Sequence, residues 1–261
     1  LLRQQMISGL QYRSGFWARV VTNLFWGYVR AAILWVFYRW GSGQTDVTMA
    51  QAIGMVWLQQ TAGNLLPGWG MDFSVWDKIS SGEVGYELAR PLDVYGHWYA
   101  NAVAVKLAPF LMSALPVVFV AMLVPGDLGL MAPASLPHLL ACLLALGTGL
   151  LLSCTAICLS YAMHMDVRVG AAPANFFMVF VQILAGGFLP LQLWPASVQR
   201  ILFLQPFAGI LDLPLRFFVG AASLSDLGGI LILQLSWTLL LGFLGRRWIL
   251  TNLRKLVLQG G

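Results

Sequence analysis

Long intervals without a charged residue dominate this chain of 261 residues. Four such intervals run over 107–126, 128–165, 169–199 and 227–245. Because about 20 apolar residues cross a bilayer as an α-helix, these intervals predict membrane-spanning helices. Two further stretches are similar, although Arg30 interrupts 20–38 and four amide side chains dilute 47–71. Only 10% of the residues are charged, against about 25% in soluble domains, which excludes a single water-soluble globule.

The predicted fold class is an all-α integral membrane protein, with one transmembrane domain over 1–261. Six transmembrane helices, numbered one to six, are expected at about 20–39, 47–66, 103–124, 137–162, 171–190 and 227–246. Amide side chains in helix two favour packing against protein over lipid. Because the sequence begins with Leu1, a few native N-terminal residues are expected to be missing.

The basic residues predict how the helices are oriented. Six crossings put both termini, the 67–102 segment and the 163–170 loop on one side. That side carries eleven Lys and Arg residues, with Lys106 counted at its helix end, and the other side carries three. Since Lys and Arg mark the cytoplasmic side, both termini are expected in the cytoplasm of a multi-pass protein of the bacterial inner membrane. This placement accounts for the net charge of +5 without a nucleic-acid partner.

The 67–102 segment is the one substantial polar element, and it holds five of the ten acidic residues. Ser80 and Glu83 have the spacing of a capping box, in which the two side chains satisfy free backbone N–H groups. Arg90 suits a helix C-terminus, and the proline after it stops a helix. A short amphipathic helix is therefore expected over about 82–90.

The stretch 190–226 is apolar but broken by four prolines. It is too apolar for a solvated loop and too broken for a span, so short helices that lie in or re-enter the outer leaflet are expected. Gly186 and Gly187 permit close backbone approach, and Pro190 removes a helix donor, so helix five should end before bulk water. The alternative is a membrane-surface anchor without a role in gating, since Trp and Phe favour interfaces.

Ionisable residues inside the predicted spans are scarce. Arg30 lies about halfway along helix one, where it would contact an anionic substrate or a second subunit, or would snorkel or pair with a polar neighbour. The three cysteines of helix four favour core packing over a metal site; they are Cys142, Cys154 and Cys158. His164 and Asp166 are expected in a solvated turn and not in a metal site.

Sequence motifs for nucleotide or hydrolytic chemistry do not occur in the chain. None of its three lysines follows a glycine, so there is no P-loop, and Gly-x-Ser-x-Gly and His-Glu-x-x-His are also missing. The chain is therefore not expected to be an enzyme, and no catalytic residue, metal or bound cofactor is predicted.

Three segments together resemble a known family. Gln11-Tyr12-Arg13 precedes helix one, and Trp76-Asp77-Lys78-Ile79-Ser80-Ser81-Gly82-Glu83 runs into Leu88-Ala89-Arg90-Pro91-Leu92-Asp93. The third comprises Gly186-Gly187-Phe188-Leu189-Pro190-Leu191, Trp194-Pro195, Leu204-Gln205-Pro206-Phe207 and the stretch from Pro214 to Gly220. Their order is similar to that of ABC-2-type permeases, the membrane subunits of ABC transporters whose ATPase is a separate chain. Arg30 matches no pattern of that family.

The resemblance implies that the segment between helices two and three is a coupling helix that docks on the ATPase. The docking residues would be Ser80, Glu83, Val84, Glu87, Leu88 and Arg90. The residues of the outer gate hairpin between helices five and six would be Gly186, Gly187, Pro190, Trp194, Pro206 and Phe207. Without such docking, the coupling segment would be a solvated interfacial helix.

The same resemblance implies partners and a direction of transport. Two permease subunits, identical or paralogous, would pair through helices one and five with two ATPase copies that carry ATP and Mg. Because members of the family mostly export, export of an amphipathic or lipid-like substrate is the expected direction for this chain. The alternative is a membrane scaffold or assembly factor that recruits a soluble partner without transport.

Overall fold

Helices form all the regular structure that the computed structural model describes. It describes residues 2–11, 13–41, 47–68, 73–85, 93–166 and 168–255, and none of these lies in a β-strand. The α-helices bounded within these ranges are α1 Leu2–Gln11, α2 Arg13–Trp40, α3 Met49–Ala62, α4 Ser74–Ser81, α5 Val94–Leu123, α6 Leu136–Met165, α7 Ala171–Leu184, α8 Ala196–Leu204, α9 Asp212–Phe218 and α10 Leu227–Leu253. The predicted all-α class is confirmed.

Within the described residues, four helices are long and apolar enough to cross a membrane, which indicates a membrane-embedded protein. These candidate spans are Ser14–Trp40, Val94–Leu123, Leu136–Met165 and Leu224–Leu253. Helices of 27 to 30 residues are about 40–45 Å long and exceed the roughly 30 Å hydrocarbon core. They correspond to predicted helices one, three, four and six.

Helices two and five are shorter than predicted. Helix two was expected over 47–66, but α3 has 14 residues and continues only as a 3₁₀ turn over Gly63–Leu65. Helix five was expected over 171–190, but α7 also has 14 residues and ends at Leu184. A helix of that length rises about 21 Å, which is less than the hydrocarbon thickness, so neither crosses as one regular helix.

The centre of the fold is α6, which packs against α5, α7, α9, α10 and the 3₁₀ segment Pro206–Ile210. Its small residues allow this close packing. A side chain at Gly149 would come within 2.7 Å of the Gly209 carbonyl oxygen, so the two backbones meet directly. All three cysteines of α6 are buried, which confirms the prediction that they pack in the core.

Helix α3 is enclosed by protein. Ten of its 14 residues are buried, and it packs against α2, α5 and α9. Trp57 is buried at its middle and donates its indole N–H to the Leu128 carbonyl at 2.7 Å. Three of the four amide side chains bond to distant parts of the protein; they are Gln51, Gln59 and Asn64. The prediction that helix two packs against protein is therefore confirmed.

The count of basic residues on the two sides placed Lys106 at a water-facing helix end. The structure places it inside the protein. Its side chain is 1% exposed, and Nζ donates to the Leu66 carbonyl at 2.7 Å. Helix α5 begins at Val94 and not near 103, so Lys106 is well inside it. Without Lys106, the predicted cytoplasmic side has ten Lys and Arg residues and the other side three, so the predicted orientation is unchanged.

The polar segment after α3 contains a helix that was not predicted, and the helix expected over 82–90 lies mostly outside the described residues, which here stop at 85. Helix α4 covers Ser74–Ser81 and ends where Gly82 adopts a left-handed conformation, φ +79°. Ser80 therefore lies in the last turn, and its hydroxyl donates to the Trp76 carbonyl at 3.0 Å. The predicted capping box with Ser80 as N-cap is wrong, because glycine here ends one helix before another could start.

Candidate functional site

The junction formed by the end of α7 and the two glycines after it is held by hydrogen bonds from two other helices and by close packing. Gly186 has a φ of +78°, and the Gly187 N–H donates to the Gln182 carbonyl at 2.9 Å. This geometry closes a helix C-terminus and needs a residue without a Cβ. A Cβ at Gly187 would lie 2.7 Å from Cδ1 of Leu66. The predicted close approach at the two glycines is confirmed, and the helix ends before Pro190.

Two polar side chains from other helices hold this junction. Arg30 of α2 donates from Nη1 to the Gly187 carbonyl at 3.2 Å. Gln59 of α3 donates from Nε2 to the Gly186 carbonyl at 2.7 Å, and this bond is buried. Carbonyls at a helix end have no intrahelical partner, so these donors satisfy groups that would otherwise be costly to bury. Arg30 and the glycines, predicted as separate sites, thus form one site.

A buried ion pair organises the segment after the glycines. Asp212 is fully buried, and its Oδ2 accepts hydrogen bonds from Nε of Arg216, at 2.8 Å, and from Nη2. Its Oδ1 accepts from the Leu191 N–H at 2.8 Å. The Arg216 guanidinium also lies 4.0 Å from the ring centre of Phe203. Sequence reasoning missed this pair, although an acid and a base four residues apart were its visible signal.

The hairpin contains short helices, as predicted, and part of it lies deep in the bundle. Helices α8 and α9 are joined by the 3₁₀ segment Pro206–Ile210. Gln234 of α10 donates to the Gly209 carbonyl at 2.7 Å and to the Ala145 carbonyl of α6 at 2.8 Å. Gln234 therefore bonds this segment to α10 and bonds α10 to α6 at the same point.

The other gate residues surround this segment. Phe207 is buried, and its ring meets that of Phe177 edge-on at 5.9 Å. Pro190 and Pro206 each open a 3₁₀ turn, while Trp194 is half-buried. The indole nitrogen of Trp194 is buried and has no partner within the described ranges.

At the opposite end of α6, helix α4 docks onto the bundle. Trp76 is buried and stacks on His164, with ring centres 4.2 Å apart and planes 22° from parallel. Ser80 Oγ lies 3.0 Å from Nε2 of the same histidine. Val84 is buried and Glu83 exposed. The remaining predicted docking residues lie outside the described residues; they are Glu87, Leu88 and Arg90.

In the turn after α6, Asp166 is not solvated as predicted, although Arg168 in the same turn is exposed. Asp166 is buried and accepts from Arg168 Nε at 3.0 Å, Arg168 Nη2 at 2.8 Å and the Trp248 indole at 3.1 Å. These hydrogen bonds hold the pKa of Asp166 well below its usual range. The carboxylate thus ties the end of α6 to α10, which no short-range sequence pattern indicated.

The lowered pKa of Asp166 predicts how stability depends on pH. A carboxylate whose pKa is lower in the folded state than in the unfolded state, where it is about 4, stabilises the fold at pH values above 4. This stabilisation is lost as the pH falls from about 4 towards the folded-state pKa. The unfolding midpoint in lipid discs should therefore be higher for wild type than for Asp166→Asn at neutral pH. The gap should narrow in acid, below about pH 4. A gap that stays constant across this range would contradict a paired, ionised Asp166.

The described residues contain no group of three or more His, Cys, Asp or Glu side chains that could hold a metal ion. The site consists instead of structural contacts on α6. Helix α4 docks at one end of α6, and the hairpin packs along its other half. No protein-family model, curated protein or solved structure matches this chain.

Proposed function

We propose that this chain is the transmembrane subunit of an ATP-driven ABC transporter of the ABC-2 type. It would form a translocation path with a second permease subunit and export an amphipathic or lipid-like substrate. ATP and Mg would bind to two copies of a separate ATPase. The three segments that resemble ABC-2-type permeases support this, and so do the four candidate spans.

The observation that carries the proposal is the anchoring of α4 on the end of α6. Trp76 and Ser80 both contact His164, so a displacement of α4 is delivered to α6, the most buried of the four candidate spans. The exposed charge of Glu83 stands beside this anchor. A surface helix fixed to the central helix is what an ATPase needs to move a membrane subunit.

The hairpin would be the element that responds. Gly209 touches both Gly149 of α6 and Gln234 of α10, so a shift of α6 changes the surroundings of the hairpin directly. In this proposal the chain lies in or re-enters the outer leaflet over 190–226, and the hairpin covers the outer mouth of the path. Breaking and remaking the Arg30 bond to Gly187 would accompany opening.

We also propose six crossings with both termini in the cytoplasm of the bacterial inner membrane. An ion pair of 3.5 Å between Asp93 and Arg246 joins the start of α5 to the last turns of α10. Another, also of 3.5 Å, joins Arg39 at the end of α2 to Asp127 before α6. Each pair groups chain ends that the six-crossing arrangement puts on one side.

A distance measurement within one chain tests gating. Spin labels would be placed at residues 197 on α8 and 136 at the start of α6, both exposed, while the native cysteines stay buried. In the complex with its ATPase, trapping ATP should change the distance between residues 197 and 136. The control pair is residues 225 and 136, whose distance should stay nearly constant. If neither distance responds to nucleotide, the hairpin is an anchor and the chain fits a scaffold.

A further inference from the structure

The end of α10 carries exposed arginines that differ in whether a carboxylate neutralises them. Arg246 pairs with Asp93 at 3.5 Å. Arg247 and Arg254 are also exposed, but neither guanidinium group makes an ion pair or a hydrogen bond with any residue that the structure describes. Two positive charges at this end of α10 can therefore meet an anion from outside the chain.

These two arginines continue the face of α10 that the bilayer covers. The apolar part of α10 is the least buried of the four candidate spans, at 6%. Leu240, Phe243 and Leu244 are all exposed. They precede Arg247 by seven, four and three residues, which places them on the same face of the helix, and Arg254 follows seven residues later on that face. A lipid whose acyl chains cover this apolar face therefore has its headgroup beside Arg247.

The length of the apolar stretch places Arg247 at the depth of the lipid headgroups. Residues 227–245 are charge-free and belong to one helix. They rise about 28 Å, which nearly fills the roughly 30 Å hydrocarbon core. Trp248 is half-buried beside Arg247, and tryptophan favours the same interface. Arg254 lies about 10 Å further along the helix, but its side chain leans back towards the bilayer, because helical side chains tilt towards the N-terminus.

The charge of this face favours an anionic phospholipid over a zwitterionic one. A guanidinium group can bind a phosphate through two parallel N–H···O bonds. Phosphatidylcholine and phosphatidylethanolamine also carry an ammonium group, which the two arginines would repel, whereas phosphatidylglycerol carries none. Asp166 bonds to Trp248 near this face, but Arg168 already neutralises that carboxylate. The net charge of the face is therefore positive.

We propose that the end of α10 is a binding site for an anionic phospholipid. The phosphate would bond to Arg247, Arg254 would add a second positive charge above it, and the acyl chains would lie along Leu240 and Phe243. A lipid fits better than a soluble partner, because a protein could reach residue 247 only by displacing headgroups. The site needs no ATPase, so the inference goes beyond the proposed function, and its failure would leave that proposal untouched.

The test measures lipid binding to the full chain, delipidated in a detergent without phosphate. Native mass spectrometry gives the dissociation constant of the first bound molecule of phosphatidylglycerol, and of phosphatidylcholine with the same acyl chains. Wild type should bind phosphatidylglycerol about tenfold more tightly, the effect of one charge-assisted hydrogen bond. Glycerol phosphate, added as its ammonium salt, should not displace the lipid, because it has no acyl chains to cover the apolar face.

The matched variants are Arg247→Gln and Arg246→Gln, which remove the same charge from neighbouring exposed positions. Arg247→Gln should weaken phosphatidylglycerol binding about tenfold, to the level of phosphatidylcholine. Arg246→Gln should weaken it less than about threefold, because Asp93 already engages that arginine. Neither variant should change the unfolding midpoint in phosphatidylcholine by a measurable amount, since both side chains are exposed.

An equal loss of phosphatidylglycerol binding in both variants would show that only net charge counts, and would overturn the site. Displacement by glycerol phosphate would overturn it as well, since the ligand would then be a free phosphate. The same holds if wild type does not prefer phosphatidylglycerol. If Arg247→Gln keeps its lipid affinity but loses a protein that co-elutes with wild type, the face binds a soluble partner and the inference is wrong.

Discussion

Trp76→Ala is expected to release helix α4 from the end of α6. The Trp76 side chain is 6% exposed and stacks on His164, and deleting a buried tryptophan costs about 3–5 kcal/mol. Since α4 has eight residues and cannot stay helical alone, this loss should appear locally. Hydrogen exchange should show that amide protection over 75–81 falls by a factor on the order of 100 or more.

Phe73→Ala is the control for this experiment. Phe73 precedes α4 and its ring lies 6.5 Å from that of Trp76, but it is 52% exposed. Its removal should leave exchange over 75–81 nearly as in wild type. If both variants lose protection equally, α4 is held by general apolar contact and not by the stacked pair. The proposed coupling would then lose its structural basis.

Removing one member of the Asp212–Arg216 pair should destabilise the protein strongly. The side chains are 0% and 10% exposed, so either single change leaves an uncompensated buried charge, which costs about 3–5 kcal/mol. Asp212→Asn keeps an oxygen that can accept from the Leu191 N–H. The loss of stability in this variant therefore reflects the loss of the negative charge. The double variant Asp212→Asn with Arg216→Met should be more stable than Asp212→Asn alone, because no charge remains. Thermal unfolding of the four proteins in lipid discs measures this cycle.

An exposed pair provides the comparison. Arg39 and Asp127 are 3.5 Å apart, with side chains 57% and 51% exposed. Arg39→Met should change stability by less than about 1 kcal/mol, because water screens such a pair. Additive effects in the buried cycle, with no recovery in the double variant, would show that the pair is not coupled as described.

The apolar intervals predicted four long helices well, but their ends poorly. Helix α2 begins at Arg13 and not near 20, and α10 continues to Leu253, beyond the expected 246. A charged or polar residue at the edge of an apolar interval can either end the helix or continue it into water. The absence of charge therefore located the apolar centre of each helix and left its length open. The left-handed glycine at 82 shows the reverse case, in which one residue overrides a capping pattern.

The polar residues of the site were harder to predict for a different reason. Lys106, Gln59 and Arg30 all donate to backbone carbonyls that are distant in sequence. Every residue has a carbonyl, so no side-chain pattern marks the acceptor. Gly186 and Gly187 were identified because their conformation has a residue-level signature, whereas the donors that hold them depend on the packing of three helices.

The most direct test of the account is to isolate the chain from its own cells in a mild detergent and determine which proteins elute with it. The account predicts that an ABC ATPase co-elutes with wild type and hydrolyses ATP. It also predicts that Trp76→Ala loses this ATPase while Phe73→Ala keeps it. A folded wild-type chain that elutes without any ATPase, or with a different soluble partner, would contradict the assignment as a transporter subunit.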